Sequence, residues 1–306
     1  LLHQYFNMKR KVVKQGHNAL TLTLPSSWTK ENNIKSGDEI EVDLRDKYLI
    51  IKKESSGEVE KTIFYMNGDG EFIHRHLSVL YRLGYDEVRV EFTNPLMVEK
   101  IQYEIEHVPG FEIVDHGENY CIIKNIAAGL EKEFDSILRK IFLNIVYCGQ
   151  QSLKLIKEGN ISGLESLRQL SKTSNRMPNF CQRLLRKEGY KDYKKTMLVY
   201  TMIWSLEQLW DYYNNILKHI LNLKSNPKIS KEILKIYDAT NEIVEKYQKV
   251  FYSFDFNEVS ELKEKSIKVI ESIKKEIENR NKSDAIILLN LNLIAERIYH
   301  MTECLI

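Results

Sequence analysis

Two pairs of side chains stand four residues apart, Glu207 with Asp211 and Glu296 with His300. On a helix such positions share a face, and two carboxylates there repel by roughly a few tenths of a kcal/mol, more if buried. The first pair therefore calls for a metal ion, a Lys or Arg partner, or water, with Gln208 and Asn215 adjacent. Carboxylate plus imidazole in the second pair suits iron or zinc. The candidate metal ligands are Glu207, Asp211, Glu296 and His300, for iron, zinc or another divalent ion. A second chemistry belongs to the start of the chain. Lys9, Arg10, Lys11 and Lys14 precede a loop, and no acid occurs before Glu31. Four like charges within six residues suit phosphate contacts. His17 and Asn18 fall at the loop tip, where short polar groups reach base edges or backbone. From charge alone, a solvated basic segment reads the same.

Other chemistry is missing. Cys121, Cys148, Cys181 and Cys304 make no C-x-x-C pattern and read as free thiols of a reducing cytoplasm. There is no P-loop and no G-x-G-x-x-G, and Asn67-Gly68-Asp69-Gly70 reads as a turn and helix start. His74 and His76 lie two apart on a predicted helix and do not face each other. No Ser-His-Asp or Cys-His arrangement suggests itself, so no catalytic residue is assigned and no enzyme is expected. From Arg168 to Lys195 nine basic residues face two acids. That run suits an acidic partner or DNA, or is a solvated helix–helix connection.

These groups need elements to position them. Residues 8–54 alternate in twos: Val12 and Val13, then Leu20, Leu22 and Leu24 up to Pro25. Ser26 or Ser27 caps a short helix through Glu31, which Asn32-Asn33 ends. A turn at Gly37-Asp38 leads to strands at 39–44 and 48–51, giving β–β–α–β–β. Ser55-Ser56-Gly57 reads as a linker. Residues 60–125 alternate strands at 62–65, 88–92, 111–114 and 120–123 with helices at 72–83 and from Pro95 to about His107. From Leu130 the period becomes 3.6. Ile137, Ile141, Ile145 and Cys148 form one stripe, and Leu198, Met202, Leu206 and Leu209 another. Tyr200, Trp204, Trp210, Tyr212 and Tyr213 read as bundle core and interface.

The helical part carries an internal repeat. Leu206 to Asp211 overlays Ala295 to His300 at an offset of 89, and Asn160-Ile161 overlays Asp255-Phe256 at an offset of 95. Each copy reads as a helical hairpin plus a third helix, about 130–220 and 229–306.

Residues 8–54 resemble the AbrB/SpoVT family of swapped-hairpin DNA-binding domains. The carrying residues are Val13-Lys14-Gln15-Gly16, Leu22-Thr23-Leu24-Pro25, Trp28, Ile34-Lys35-Ser36-Gly37-Asp38-Glu39-Ile40 and Leu49-Ile50-Ile51. Residues 130–306 resemble the PhoU family of phosphate-signalling bundles, through Glu207-x-x-x-Asp211 with Asn215 and Glu296-Arg297-Ile298 with His300. The middle segments Arg75…Leu83-Gly84-Tyr85-Asp86 and Gly110 to Val114 resemble the linker module of archaeal PhoU-like proteins with an AbrB-like N-terminus.

The resemblance implies three parts. Residues 8–54 form a β-rich swapped-hairpin barrel that binds DNA and dimerises, 60–125 a small α/β module, and 128–306 an all-α bundle of two three-helix repeats. It implies multinuclear metal clusters on the acids. Two departures stand out: Ser171 to Arg176 holds no acid, and Pro178 interrupts that helix. The function implied is a DNA-binding regulator of phosphate uptake and homeostasis, acting as a homodimer. The partners implied are DNA and a phosphate transporter or signalling protein. The alternatives are a dimeric adaptor that does not bind DNA, contacting such a transporter, or a metal-sensing bundle. No run of about 18 apolar residues and no signal peptide appear, so a cytoplasmic protein, at most peripheral to a membrane, is expected. Met8 reads as a natural start and residues 1–7 as an upstream extension.

Charge sharpens the division. The 306 residues hold 45 Lys and Arg against 43 Asp and Glu, a net +2 that argues against a uniformly basic coat. Residues 8–54 carry ten basic and seven acidic side chains, 55–125 six and thirteen, and 126–306 twenty-nine and twenty-three. The average conceals a basic start, an acidic middle and a mildly basic helical part.

Overall fold

The computed structural model describes residues 8–45, 47–53, 59–66, 70–106, 108–127, 133–172, 176–223, 229–278 and 280–305. Residues 1–7, the Ser55–Gly57 linker, the Asn67–Asp69 turn and His107 lie outside the described residues. The chain divides into two compact units, Leu1–Glu58 and Val59–Ile306.

In the first unit, β1 (Val12–Gln15) pairs antiparallel with β2 (Ala19–Leu22), and β3 (Ile40–Arg45) pairs with β4 (Tyr48–Lys53). Between them lies α1 (Ser26–Glu31), with extended Pro25 at its N-cap. Asn33 ends it at φ 50, a left-handed value that Asn tolerates. The Asp38 carboxylate accepts the Lys35 N–H at 2.7 Å, folding the turn that Gly37 completes at φ 95. Among the described residues the two hairpins are separate two-stranded sheets and close no barrel.

The second unit begins with β5 (Lys61–Tyr65), α2 (Ile73–Arg82), β6 (Glu87–Glu91), α3 (Met97–Ile105), β7 (Phe111–His116) and β8 (Tyr120–Asn125). The sheet order is β5-β6-β8-β7, parallel only between β5 and β6, where α2 makes the crossover that parallel strands require. Val88, Val90, Cys121 and Ile123 point alternately inward and share one core with Leu77 and Tyr81 of α2 and Ile101 of α3. Gly84 ends α2 at φ 94, the left-handed position a helix stop uses.

Seven α-helices follow among the described residues: α4 (Phe134–Glu158), α5 (Ile161–Lys172), α6 (Arg176–Glu188), α7 (Thr196–Leu221), α8 (Lys231–Tyr252), α9 (Phe256–Ile277) and α10 (Lys282–Met301). The expected stripes face a single core: Ile141, Ile145 and Cys148 of α4 lie beside Met202, Leu206 and Leu209 of α7. Among the described residues the first half holds four helices, α4 to α7, and the second half three. Pro178 falls in the first turn of α6, where its missing N–H costs nothing. The offset of 95 residues lands on two helix caps. Asn160 accepts the Gly163 N–H at 2.9 Å ahead of α5, and Asp255 accepts from Asn257 and Glu258 ahead of α9.

A polar knot ties α4, α7 and α8 inside this core. The Tyr213 hydroxyl donates to Asn241 Oδ1 at 2.7 Å, Asn241 Nδ2 donates to the Gly149 carbonyl at 2.8 Å, and the Ser152 hydroxyl donates to the same carbonyl at 2.9 Å. Ser152 also meets the Tyr237 hydroxyl at 2.7 Å. Buried hydroxyls and amides are tolerated only when paired in this way. Gly149 makes room for the knot: a Cβ there would lie 2.6 Å from Asn241 Oδ1 and 2.7 Å from Tyr213 Oη. Helix propensity alone favours Gly149→Ala by about 1 kcal/mol. The clash reverses the sign, and we expect a loss of about 1–3 kcal/mol in urea unfolding. A midpoint equal to or above wild type overturns this account.

Candidate nucleic-acid interface and the acidic helix pairs

The β1–β2 register pairs Gln15 with Ala19, leaving Gly16, His17 and Asn18 as the hairpin tip. Gly16 sits at φ 69, a conformation a side chain would strain. His17 and Asn18 are both exposed at this tip. Lys14 lies within β1, opposite Leu20. Lys9, Arg10 and Lys11 lead into β1 and are exposed. At about 3.3 Å per strand residue, Lys11 and the tip are roughly 16 Å apart. The structure thus brings Lys14, His17 and Asn18 onto one short ribbon and leaves Lys9–Lys11 at its other end.

Directly opposed residues share a ribbon face. Val12, Leu20 and Leu22 share one with Lys14, and Ile40, Val42, Leu44, Leu49 and Ile51 share one on the other hairpin. No described side chain of residues 8–53 is buried. Leu20 is 73% exposed and Leu44 81%.

The acidic pairs sit on α7 and α10. Glu207 is half-buried, and its carboxyl is pushed up to about 6, chiefly by burial, with Asp211 adding and Arg82 of α2 opposing. Asp211, one turn on, lies at the surface, and partial burial raises its carboxyl as well. Glu296 accepts from Asn292 at 2.9 Å, and His300 is exposed with its ring 5.3 Å from that of Tyr299. The Arg297 guanidinium lies over Trp204 of α7, 5.9 Å from the ring centre. Among the described residues no three His, Cys, Asp or Glu side chains gather into a ligand set, so either pair offers a metal ion two side chains. The positive charge acting on Glu207 comes from Arg82.

The most heavily engaged charge lies inside the basic run from 168 to 195. Arg183 of α6 is 3% exposed. Its Nη1 donates to the carbonyls of Tyr81 at 2.7 Å and Tyr85 at 2.9 Å, and its Nη2 donates to Asp86. The guanidinium also stacks 4.7 Å from the Tyr81 ring centre. Lys187 reaches both Asp86 oxygens, at 2.8 and 2.9 Å, and the Glu60 N–H donates to Asp86 Oδ2 at 3.1 Å. Burial lowers the Arg183 guanidinium, with Asp86 opposing. Two of the nine cations therefore turn inward and lock the α/β module onto the bundle. Sequence reasoning missed this node, because its partners are 97 residues apart. The one signal was Asp86, an acid two residues after the Gly84 helix stop.

The thiols offer no rival site. All four cysteines are free, and burial pushes those of Cys121, Cys148 and Cys181 up to about 12. No described helix is long and apolar enough to cross a membrane.

The molecule thus joins a small two-hairpin unit with a basic start to an α/β module fused to a helical bundle. Residues 13–58 match the family model described as "Antidote-toxin recognition MazE, bacterial antitoxin", so the N-terminal unit is MazE/AbrB-like. The chain is also similar to the crystal structure of the phosphate transport system regulatory protein PhoU from Streptococcus pneumoniae. That likeness has 15% identity and a TM-score of 0.48 and covers 57% of this chain and 92% of that one. A search of curated proteins gives no match.

Asp86→Ala leaves a buried guanidinium without its counter-charge, and we expect a loss of about 3–5 kcal/mol in denaturant unfolding. Adding Arg183→Met should restore part of it, and equal losses in the single and double variants overturn the assignment. Glu207 gives a pH test. Its folded value, about 6, lies above the ordinary 4.5, so the folded chain holds the proton more tightly in that window. Its share of stability is present below about 4.5 and falls as pH rises through about 6. Glu207→Gln should therefore gain on wild type between pH 4.5 and 7, read as a rising difference in midpoints, and a constant difference rules this out.

Proposed function

We propose that this protein is a dimeric DNA-binding regulator whose helical bundle carries phosphate signalling. The observation that carries the DNA half is that no described side chain of the first unit is buried. Two hairpins with open apolar faces are too small to bury a core alone. A second copy contributing its hairpins would cover those faces and close the barrel, giving an assembly with two-fold symmetry. That assembly doubles the exposed cations at Lys9, Arg10, Lys11 and Lys14 and presents two tips bearing His17 and Asn18. Such a surface suits a duplex read partly by phosphate contacts and partly by shape. The match of residues 13–58 to an antitoxin family supports this reading.

The phosphate half rests on the resemblance of the repeat endings, Glu207 with Asp211 and Glu296 with His300, to the PhoU family. In this reading the bundle contacts a phosphate transporter or a signalling protein, and the protein acts by binding, not by turnover.

The full chain should migrate as a dimer and retain duplex DNA at low salt. Removing a cation that neutralises one phosphate should flatten the log–log salt slope by about 0.9. The combined Lys9, Arg10, Lys11 and Lys14 to Ala variant should stay dimeric and lose retention. A wild-type chain that shows no shift at low salt defeats the DNA half. DNA captured from the source genome should be enriched upstream of phosphate-transport genes, and random coverage defeats the phosphate half.

A further inference from the structure

The four-stranded sheet ends on two unlike edges, β5 and β7. A free strand edge invites pairing with another chain, and proteins blunt such edges with bulges and charges. β7 is blunted in both ways. Its register shifts between Ile113 and Asp115, and Glu112, Asp115 and His116 line it. β5 is not. It keeps an unbroken register with β6 over all five residues, and Lys61, at one end, is its single charge. That ammonium is already held by Glu87 at 3.1 Å. The rest, Thr62 to Tyr65, is β-branched and aromatic, the composition that favours strands.

The backbone of β5 faces two ways. The Met66 N–H donates to the Glu91 carbonyl at 2.8 Å, and the Glu60 carbonyl accepts from the Asp86 N–H at 2.7 Å. Alternation along the strand therefore turns Thr62 and Phe64 to β6, and turns the N–H and C=O of Lys61, Ile63 and Tyr65 away from it. No described strand takes up these outward groups. The side chains at this edge are open as well. Phe64 lies on the α2 side, its ring 5.0 Å from that of His76, so Ile63 and Tyr65 lie on the other face. Ile63 is 52% exposed there and Tyr65 65%. On α2, His76, Val79 and Leu83 are three and four residues apart and share one flank, which the His76 ring places beside β5. Val79 and Leu83 are exposed apolar side chains on that flank.

We propose that the β5 edge is an interface for a second copy of this chain, pairing β5 antiparallel with β5 across a two-fold axis at Ile63. The occupant follows from the symmetry of the edge. The outward residues 61, 63 and 65 are centred on Ile63. An antiparallel copy sets Lys61 against Tyr65, Ile63 against its own counterpart, and Tyr65 against Lys61. In that register each opposed pair exchanges both of its hydrogen bonds, so every outward N–H and C=O of the two strands is used. The side chains agree, since each tyrosine ring lies beside a lysine stem and the two isoleucines meet at the axis. The contact is isologous and closes at two copies. The joined sheet has eight strands, four from each copy, and ends on the blunted β7 at both sides. This pairing is separate from the one proposed for the first unit and does not depend on it.

The test is chemical cross-linking of the full chain with a short bis-maleimide, read on a denaturing gel. Ile63→Cys places two thiols on opposed residues, whose Cβ atoms lie about 5 Å apart in such a pair, and should give a cross-linked dimer. The wild-type chain, whose thiols are buried or half-buried, and His116→Cys on the β7 edge should give little. The register makes a second demand. In the Ile63→Cys background, Tyr65→Lys sets a lysine against Lys61 of the second copy, whereas Tyr65→Glu sets a carboxylate there. Both variants lose the same ring from an exposed position and should keep the wild-type circular dichroism spectrum. The lysine variant should cross-link at least about fivefold less than the glutamate variant. Three results overturn the proposal: no dimer band from Ile63→Cys, an equal band from His116→Cys, or equal yields from the lysine and glutamate variants.

Discussion

A guanidinium cannot shed its charge to enter a protein interior, so a buried arginine dictates what surrounds it. Arg183 does this for the second unit. Its partners are the carbonyls of Tyr81 and Tyr85, the carboxylate of Asp86 and the ring of Tyr81, all from the α/β module, while the arginine belongs to the bundle. Removing either side strands a charge, so α2 and α6 are bound to stay together. Their packing in turn sets the next layer. Arg82, at the end of α2, donates to the buried Gln182 of α6 at 3.4 Å and acts on Glu207 of α7. The acid that looked like a metal ligand is thus tuned by a module that lies more than a hundred residues earlier. The acidic middle of the chain and the basic run of its helical part meet here, with opposite signs doing what their separate totals could not show.

What was legible in the sequence was local. Strands β1 to β4 and the helix between them follow from alternation of apolar residues, from Pro25, and from the Gly37-Asp38 turn, each of which acts over a few residues. The helices follow from a period of 3.6, and the repeat offset of 95 from the overlay of Asn160-Ile161 on Asp255-Phe256. What was not legible depends on partners distant in sequence. The helical spacing of Glu207 and Asp211 correctly put them one turn apart on α7, but nothing near them in the chain reveals Arg82. Arg183 and Lys187 looked like members of a solvated cationic run, because charge counting cannot tell a surface lysine from one that reaches a buried carboxylate.

The two halves of the bundle also show where a shared plan diverged. In the second half, α9 is one helix of 22 residues whose buried positions, Leu262, Ser266, Val269 and Ile273, recur every three or four residues. That is a helix committed to a core on one side only. In the first half the matching stretch holds α5 and α6, and α6 is different in kind. Every residue of α6 from Pro178 to Leu185 is buried, including Asn179, Gln182 and Arg183. A helix buried all round needs cover on both sides, and the bundle supplies only one. The other must come from an element able to satisfy polar groups as well as apolar ones, because a purely greasy surface would leave Arg183 unpaired. The α/β module meets that demand through backbone carbonyls at the end of α2 and the carboxylate that follows. α6 therefore presents a docking surface for the module, one that α9, with its single buried stripe, does not.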